Sequence, residues 1–521
     1  MFRATILIAL TSLLSSASPA LAQVCPLNGT LRNKLVCLIP QVYGPYGFGA
    51  GGSQPSSASV LYTGDGHAAH FSNDFLASFS PINEAVGIQV SQLPLASPSS
   101  AITFTYDPAL KTFSPSTEES LGPIIGERAT TVGRYKLFLG FSYQYFDFNS
   151  IDGHDLNKIP TILQHQPFPC PNGVCTPPVI HPCPVQTALK GSKYDGDPCF
   201  VRDYIQTSNS IDLKVHQYTI YVTFGITQHL DFSAAIPVLN VRMGVTSNAT
   251  IVPNSVAPSV LNTPGSFWHV FNNVTTATNQ SNPALVAKCA GQIPCLNASF
   301  SDSGSAAGVG DIVLRGKYTV HQWERAGVAV GVDVRLPTGD ETNFLGSGAV
   351  GVKPFGVFSY TARVSPHAVV GYEVNGDSTL AGKNIVQVPG EIPTAKGSLP
   401  NRFLYIVGAE VHFVKRVTGV FDIYGQRLFS TPQLVPEPYT DYGHCSGPTN
   451  AAGVRCAVYT SGTTHPDIAT RSNDINITDA SLGLKVRLYK QLVATGNVLI
   501  KLDDSGLRAT AVPLVGLSYS F

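Results

Sequence analysis

Ten charged side chains stand at alternating positions in otherwise apolar stretches: Arg315, Lys317, Asp333, Arg335, Glu373, Glu410, Asp422, Lys485, Arg487 and Lys501. Both signs are present. Isolated charges are costly in a confined, low-dielectric space, so such a set either pairs internally or faces water. One reading is a polar passage whose acidic and basic walls select ions and solutes. The other is a closed interior whose charges only satisfy one another. The stretch Pro337 to Gly348 (PTGDETNFLGSG) poses a similar choice: folded inward it would present Asp340 and Glu341 as a constriction, and otherwise it is a glycine-rich outer loop.

Other chemistry is thin. His67 and His70 in DGHAAH have no third ligand in view, and His367 and His412 read as satisfied interior histidines. There is no Gly-x-Ser-x-Gly elbow, phosphate loop or His-Glu-x-x-His. No catalytic set, metal site or cofactor is therefore expected. With 33 basic against 33 acidic residues, nothing points to nucleic acid.

The ten cysteines are Cys25, Cys37, Cys170, Cys175, Cys183, Cys199, Cys289, Cys295, Cys445 and Cys456. Proximity suggests the disulfides Cys25–Cys37, Cys289–Cys295 and Cys445–Cys456, and the pairing of the other four stays open. Disulfides fit export, and residues 1–22 read as a secretory signal peptide: Arg3, an apolar run from Ala4 to Leu14, then Ala20-Leu21-Ala22 before Gln23.

Residues 23–135 form an irregular and partly helical N-terminal segment. Phe71, Phe75, Phe79, Ile82, Val86, Val90 and Leu93 share one helical face, broken at Ser80-Pro81, so two short amphipathic helices are expected. Such a segment would serve as a lumen plug, a periplasmic lid or a docked linker. A small hairpin is expected around Asp107-Pro108.

From residue 136 the hydrophobic period becomes two. Val328, Val330, Val332 and Val334 alternate with Gly327, Ala329, Gly331, Asp333 and Arg335. Runs of about ten residues match a tilted bilayer crossing. Strands are predicted near 136–148, 211–227, 229–243, 310–322, 325–336, 350–362, 366–376, 401–413, 417–429, 474–488, 491–502 and 507–521. Connections after odd strands are long, save the last, and those after even strands are short. The expected fold is an all-β, antiparallel, up-and-down transmembrane barrel of about twelve strands over residues 136–521, with long extracellular loops. No segment reads as a membrane-spanning helix, and in hydrocarbon only a closed barrel satisfies a strand's backbone. Val515, Leu517, Tyr519 and Phe521 share the apolar face of the final strand, which resembles the terminal signal read by the bacterial barrel-assembly machinery. The expected location is the bacterial outer membrane, in contact with its lipid.

The stretches GVGDIVLRGKY (308–318), RLPTGD (335–340) and LGSG (345–348), with Pro366-His367, Gly371-Tyr372 and Asn375-Gly376, resemble the outer-membrane transporter family named for the MetA-pathway of phenol degradation. The resemblance covers about residues 308–376. It implies a pore-like protein for diffusion of small, hydrophobic or aromatic solutes. The alternatives are a non-transport surface barrel whose disulfide-clamped loops bind a partner, and an outer-membrane lipolytic enzyme.

Overall fold

The structure, a computed structural model, describes residues 34–39, 42–43, 82, 85–90, 93–94, 120–164, 202–254, 271, 296–381, 396–444, 446 and 459–521. Four short strands are described as backbone, Phe271 apart: Leu61–Thr63 paired with the strand at 269–271, and Phe104–Asp107 paired with Thr112–Pro115 as the predicted hairpin. Residues 1–22, His67, His70, Phe71, Phe75, Phe79 and all cysteines but Cys37 lie outside the described residues. Cys37 is disulfide-bonded.

Twelve antiparallel strands close into a barrel. They are β1 (Leu137–Ile151), β2 (Tyr204–Gly225), β3 (Leu230–Val252), β4 (Ile312–Gln322), β5 (Ala326–Leu336) and β6 (Gly351–Tyr360). They continue with β7 (Val364–Asn375), β8 (Arg402–Val414), β9 (Val417–Pro436), β10 (Ile468–Tyr489), β11 (Leu492–Lys501) and β12 (Ala511–Ser520). Each pairs with its chain neighbours, and β12 returns to β1 through Leu514↔Gln144 to Ser520↔Phe138. Closure removes every edge, which hydrocarbon would not tolerate.

The alternation read from sequence sorts the two faces. On β5, Val330 and Val332 are 48% and 44% exposed on the outside, while Asp333 and Arg335 are 4% and 6% exposed within. The outer wall carries Phe141, Ile220, Phe232, Val370, Val407, Phe421, Leu484 and Val515, all exposed. A contiguous apolar surface of this kind is foreign to soluble monomers and suits acyl chains. About ten residues rising roughly 3.3 Å each, tilted by about 40°, cross about 25 Å, the height of a lipid-facing band.

Short turns join β2 to β3, β4 to β5, β6 to β7, β8 to β9 and β10 to β11 at one end, and longer connections gather at the other. In outer-membrane barrels those are the periplasmic and extracellular ends.

Four strands are longer than predicted. β2, β3, β9 and β10 have 22, 23, 20 and 22 residues, so about half of each stands beyond the rim. There the pattern inverts. Inward positions of β2 run Thr223, Thr219 and Gln217, then Val215, Leu213 and Ile211, while the outward face passes from Phe224, Ile220 and Tyr218 to His216, Lys214 and Asp212. On β3 the change falls at Leu239 and Asn240, which pair with Gln217 and His216. The prolonged strands, joined by Ile159–Gln164 and Asn297–Val309, build a water-facing dome with an apolar inside. Asn297–Val309 continues into β4 with a break at Gly310-Asp311, and the last predicted strand is split at Thr510.

Candidate functional site

The barrel interior holds a charge network set by register. Arg315, Asp333 and Lys353 are neighbours in one row across β4, β5 and β6. Asp333 takes two bonds from Arg315, at 2.7 and 2.8 Å, and an ion pair from Lys353 at 2.8 Å. One row toward the loops, Arg335, Gly351 and Asn375 align. Arg335 passes over Gly351 to reach Glu373 at 3.2 Å and Asn375 at 2.5 Å, and it meets Asp311 at 3.2 Å. Residue 351 must be glycine for this: a Cβ there would sit 2.6 Å from Glu373 Oε1 and 2.7 Å from Arg335 Nη2. Arg402 completes the group on Glu373 at 2.6 Å.

Toward the turn end, residues 120–134 run inside the barrel as irregular backbone. Several of their backbone groups are met by wall side chains, as backbone away from water requires. Lys485 Nζ donates to the carbonyls of Leu121 and Pro123, and Lys317 Nζ to those of Arg128 and Thr130. The Leu121, Ala129 and Val132 amides donate to Thr418, Ser359 and Asp231. Arg128 pairs with Glu410 and reaches Ser120. His367 Nε2 lies 2.8 Å from Asp422, and its Nδ1 is 3.7 Å from Glu410 with no hydrogen bond of its own.

Earlier parts of the chain lie toward the loops. Lys34 pairs with Asp340 at 2.6 Å, the Leu35 amide donates to Asn343, and Tyr43 bonds Ser247 inside the dome. Ile82, Val86 and Val90 are buried, and residues 85–90 are helical. Gln89 accepts from the Leu507 amide at 2.5 Å.

Between these pieces and the wall lies a cavity of about 150 Å³. Its apolar side includes Val90, Leu93, Ile125, Val313, Leu404 and Ile406, and its polar side is the network just described with Tyr405 and Tyr424. Phe355 lines it with the Arg315 guanidinium 4.8 Å from its ring centre. Phe355 and Gly371 also border an apolar groove of about 820 Å³ on the outer wall, with Gly316, Val330, Val332 and Val370. At that height Phe355 and Gly371 border both the interior cavity and the outer groove.

Of the residues singled out from sequence, Lys317, Asp333, Arg335, Glu373, Glu410, Asp422 and Lys485 are buried inside the barrel, and Arg315 is mostly buried. Lys501 sits at the loop rim with Asp504 at 2.6 Å. Arg487 is half-buried at the turn end, and its Nε has no partner. Asp340 caps the turn Glu341–Asn343 by accepting from the Thr342 amide, and Glu341 Oε1 accepts from Thr379 at 3.4 Å. The loop carrying them turns inward, with Phe344 and Ser347 fully buried. Asp311, Lys353 and Arg402 were missed although they share the inward parity of chosen neighbours. Glu127 and Arg128 were missed because their segment has no periodicity to read.

Taken together, a closed twelve-stranded wall, oily outside and charged inside, defines a transmembrane β-barrel of outer-membrane type. Residues 208–387 match the family model described as "Putative MetA-pathway of phenol degradation", so the resemblance read from residues 308–376 is shown over that stretch. No curated protein sequence matches the chain. Among solved structures, an outer membrane channel from Pseudomonas putida F1 aligns over 75% of this chain and 98% of its own, at 8% identity and a TM-score of 0.37. The toluene transporter TbuX from Ralstonia pickettii aligns over 75% and 90%, at 11% identity and a TM-score of 0.25. A FadL homologue from Pseudomonas aeruginosa aligns over 74% and 89%, at 8% identity and a TM-score of 0.25.

Proposed function

We propose that this barrel passes small, weakly polar solutes of hydrophobic or aromatic character across the bacterial outer membrane. The chamber inside the barrel carries the reading. Its volume of about 150 Å³ suits a single substituted ring; an apolar void on the order of 150 Å³ in a soluble protein takes up benzene. Its two-sided lining gives a ring an apolar bed and a hydroxyl a choice of polar partners. Residues 120–134 act as an inner plug that must shift before a solute leaves toward the periplasm, and the loop with Asp340 and Glu341 narrows the opposite approach. On the membrane side, the Phe355 position offers a short way between the outer groove and the chamber.

The test is uptake of labelled toluene by cells whose outer membrane contains the protein. Uptake is expected to exceed that of cells without it. Joining plug to wall through Ala129→Cys with Ser359→Cys, positions linked by a 3.1 Å hydrogen bond, is expected to slow uptake until a reductant is added. Equal uptake with and without the barrel rejects transport and favours a sealed barrel whose loops bind a partner.

A further inference from the structure

The chamber's charges are balanced group by group. Its lining contains four cations, Arg315, Arg335, Lys353 and Arg402, and four carboxylates, Glu127, Asp311, Asp333 and Glu373. All eight are in ion pairs. Asp333 holds Arg315 and Lys353, Glu373 holds Arg335 and Arg402, Asp311 holds Arg335, and Glu127 holds Arg315. None of these eight has an orphaned buried polar atom. Arg315 is further fixed by two bonds to one carboxylate and by the Phe355 ring.

A wall so filled is polar without being charged toward a guest. An aromatic anion entering it must either stay unpaired in a confined space or pull a cation from a carboxylate, which then loses its own partner. Both outcomes are expensive. A cation meets the mirror-image difficulty. A neutral ring bearing a hydroxyl needs only hydrogen bonds, which the outer lone pairs and hydroxyls of the network provide at little cost.

Resting on the transport reading above, we infer that Asp333 and Glu373 are specificity-determining residues: by keeping the chamber's cations occupied they restrict it to neutral aromatic solutes and refuse aromatic carboxylates and amines. Their role toward the solute is indirect, because each acts through the cations it holds.

Calorimetric titration of the purified full-length barrel at pH 7 with benzyl alcohol, benzoate and benzylammonium tests this. Benzyl alcohol is expected to bind at least about tenfold more tightly than either ion, about 1.4 kcal/mol. In Asp333→Asn, which takes the carboxylate from Lys353 and leaves Arg315 with Glu127 alone, benzoate affinity is expected to rise about tenfold. Adding Lys353→Met to that variant is expected to remove the gain, which a loss of folding would not reproduce. Glu373→Gln gives the same comparison around Arg402. Heat-dependent gel mobility checks that each variant is a closed barrel. Benzoate binding the unmodified barrel as well as benzyl alcohol overturns the inference while leaving transport standing, and this comparison needs no variant. If none of the three probes binds, the transport reading itself fails.

Discussion

At the scale of single residues, partners matter more than exposure. Arg128 and Glu410 lie on different parts of the chain, yet each is the main counter-charge of the other. Removing Arg128 as alanine leaves Glu410 buried beside a histidine nitrogen that makes no hydrogen bond, a loss of about 3–5 kcal/mol. That energy ties residues 120–134 to β8, so Arg128→Ala is expected to raise the frequency of open events in planar bilayers. An unchanged current trace would show that this ion pair does not hold the plug. Phe355 presents the opposite case, a buried ring with a thin wall behind it. Phe355→Ala is expected to cost about 3–5 kcal/mol and to join chamber and outer groove. The check is a fall in thermal midpoint together with faster labelling of a cysteine at Ile406 by a lipid-soluble maleimide. Sequence exposed much of this chemistry, since seven of the ten chosen charges are buried within the barrel. It could not give their pairings, because a partner such as Glu127 comes from a stretch with no period, and only the closed barrel brings it beside Arg315.

At the scale of elements, the strand pattern was legible where one face meets lipid and the other does not. Predicted ends at 243 and 429 fall short of Val252 and Pro436 because polarity changes sides above the rim. A rule that seeks oil outside stops where oil turns inward. Across the dome, the connection between β1 and β2 meets the extended β9 and the start of β10. Asp467 accepts from the Ile162 amide at 3.0 Å, and Asp152 accepts from the Leu434 amide at 2.9 Å. Burial raises both carboxyls above their ordinary range, Asp467 to about 6, against the opposing pull of the amides. An acid raised in the folded state binds more protons there than when unfolded, so its contribution is present below the ordinary carboxylate pKa and is lost as pH rises through about 6. The dome is therefore expected to clasp more tightly at pH 5 than at pH 7. Hydrogen exchange at the Ile162 and Leu434 amides, corrected for intrinsic rate, reads this directly. Asp467→Asn should flatten the dependence, and equal protection at both pH values would remove Asp467 as its source.

At the scale of the whole molecule, the barrel is a wall around a second, irregular structure. Its twelve-strand plan and alternating long and short connections were readable because both follow from periodicity and turn length. The course of the chain inside was not readable, since contacts such as Lys485 with the Leu121 carbonyl join positions hundreds of residues apart. Deleting residues 23–134 is expected to leave a steady pore. Single-channel conductance should rise at least about tenfold, because ions would then cross through water rather than past buried dipoles and charges. A deletion variant that folds, shown by heat-dependent gel mobility, and still conducts no better would mean that the wall's own side chains close the tube.

The direction of that inner course has a consequence for biogenesis. Leu35 and Tyr43 lie by the loops, whereas residue 135 donates to the Gly225 carbonyl at the opposite mouth, just before β1 begins. The described pieces of the leading portion thus lie from the far opening, at Leu35 and Tyr43, to the mouth where β1 starts. Pulling that portion lengthwise through a completed hoop would also drag the disulfide at Cys37 past buried side chains. Wrapping the staves around a rope already in place avoids this, and on that route the seam between β1 and β12 is expected to zip last.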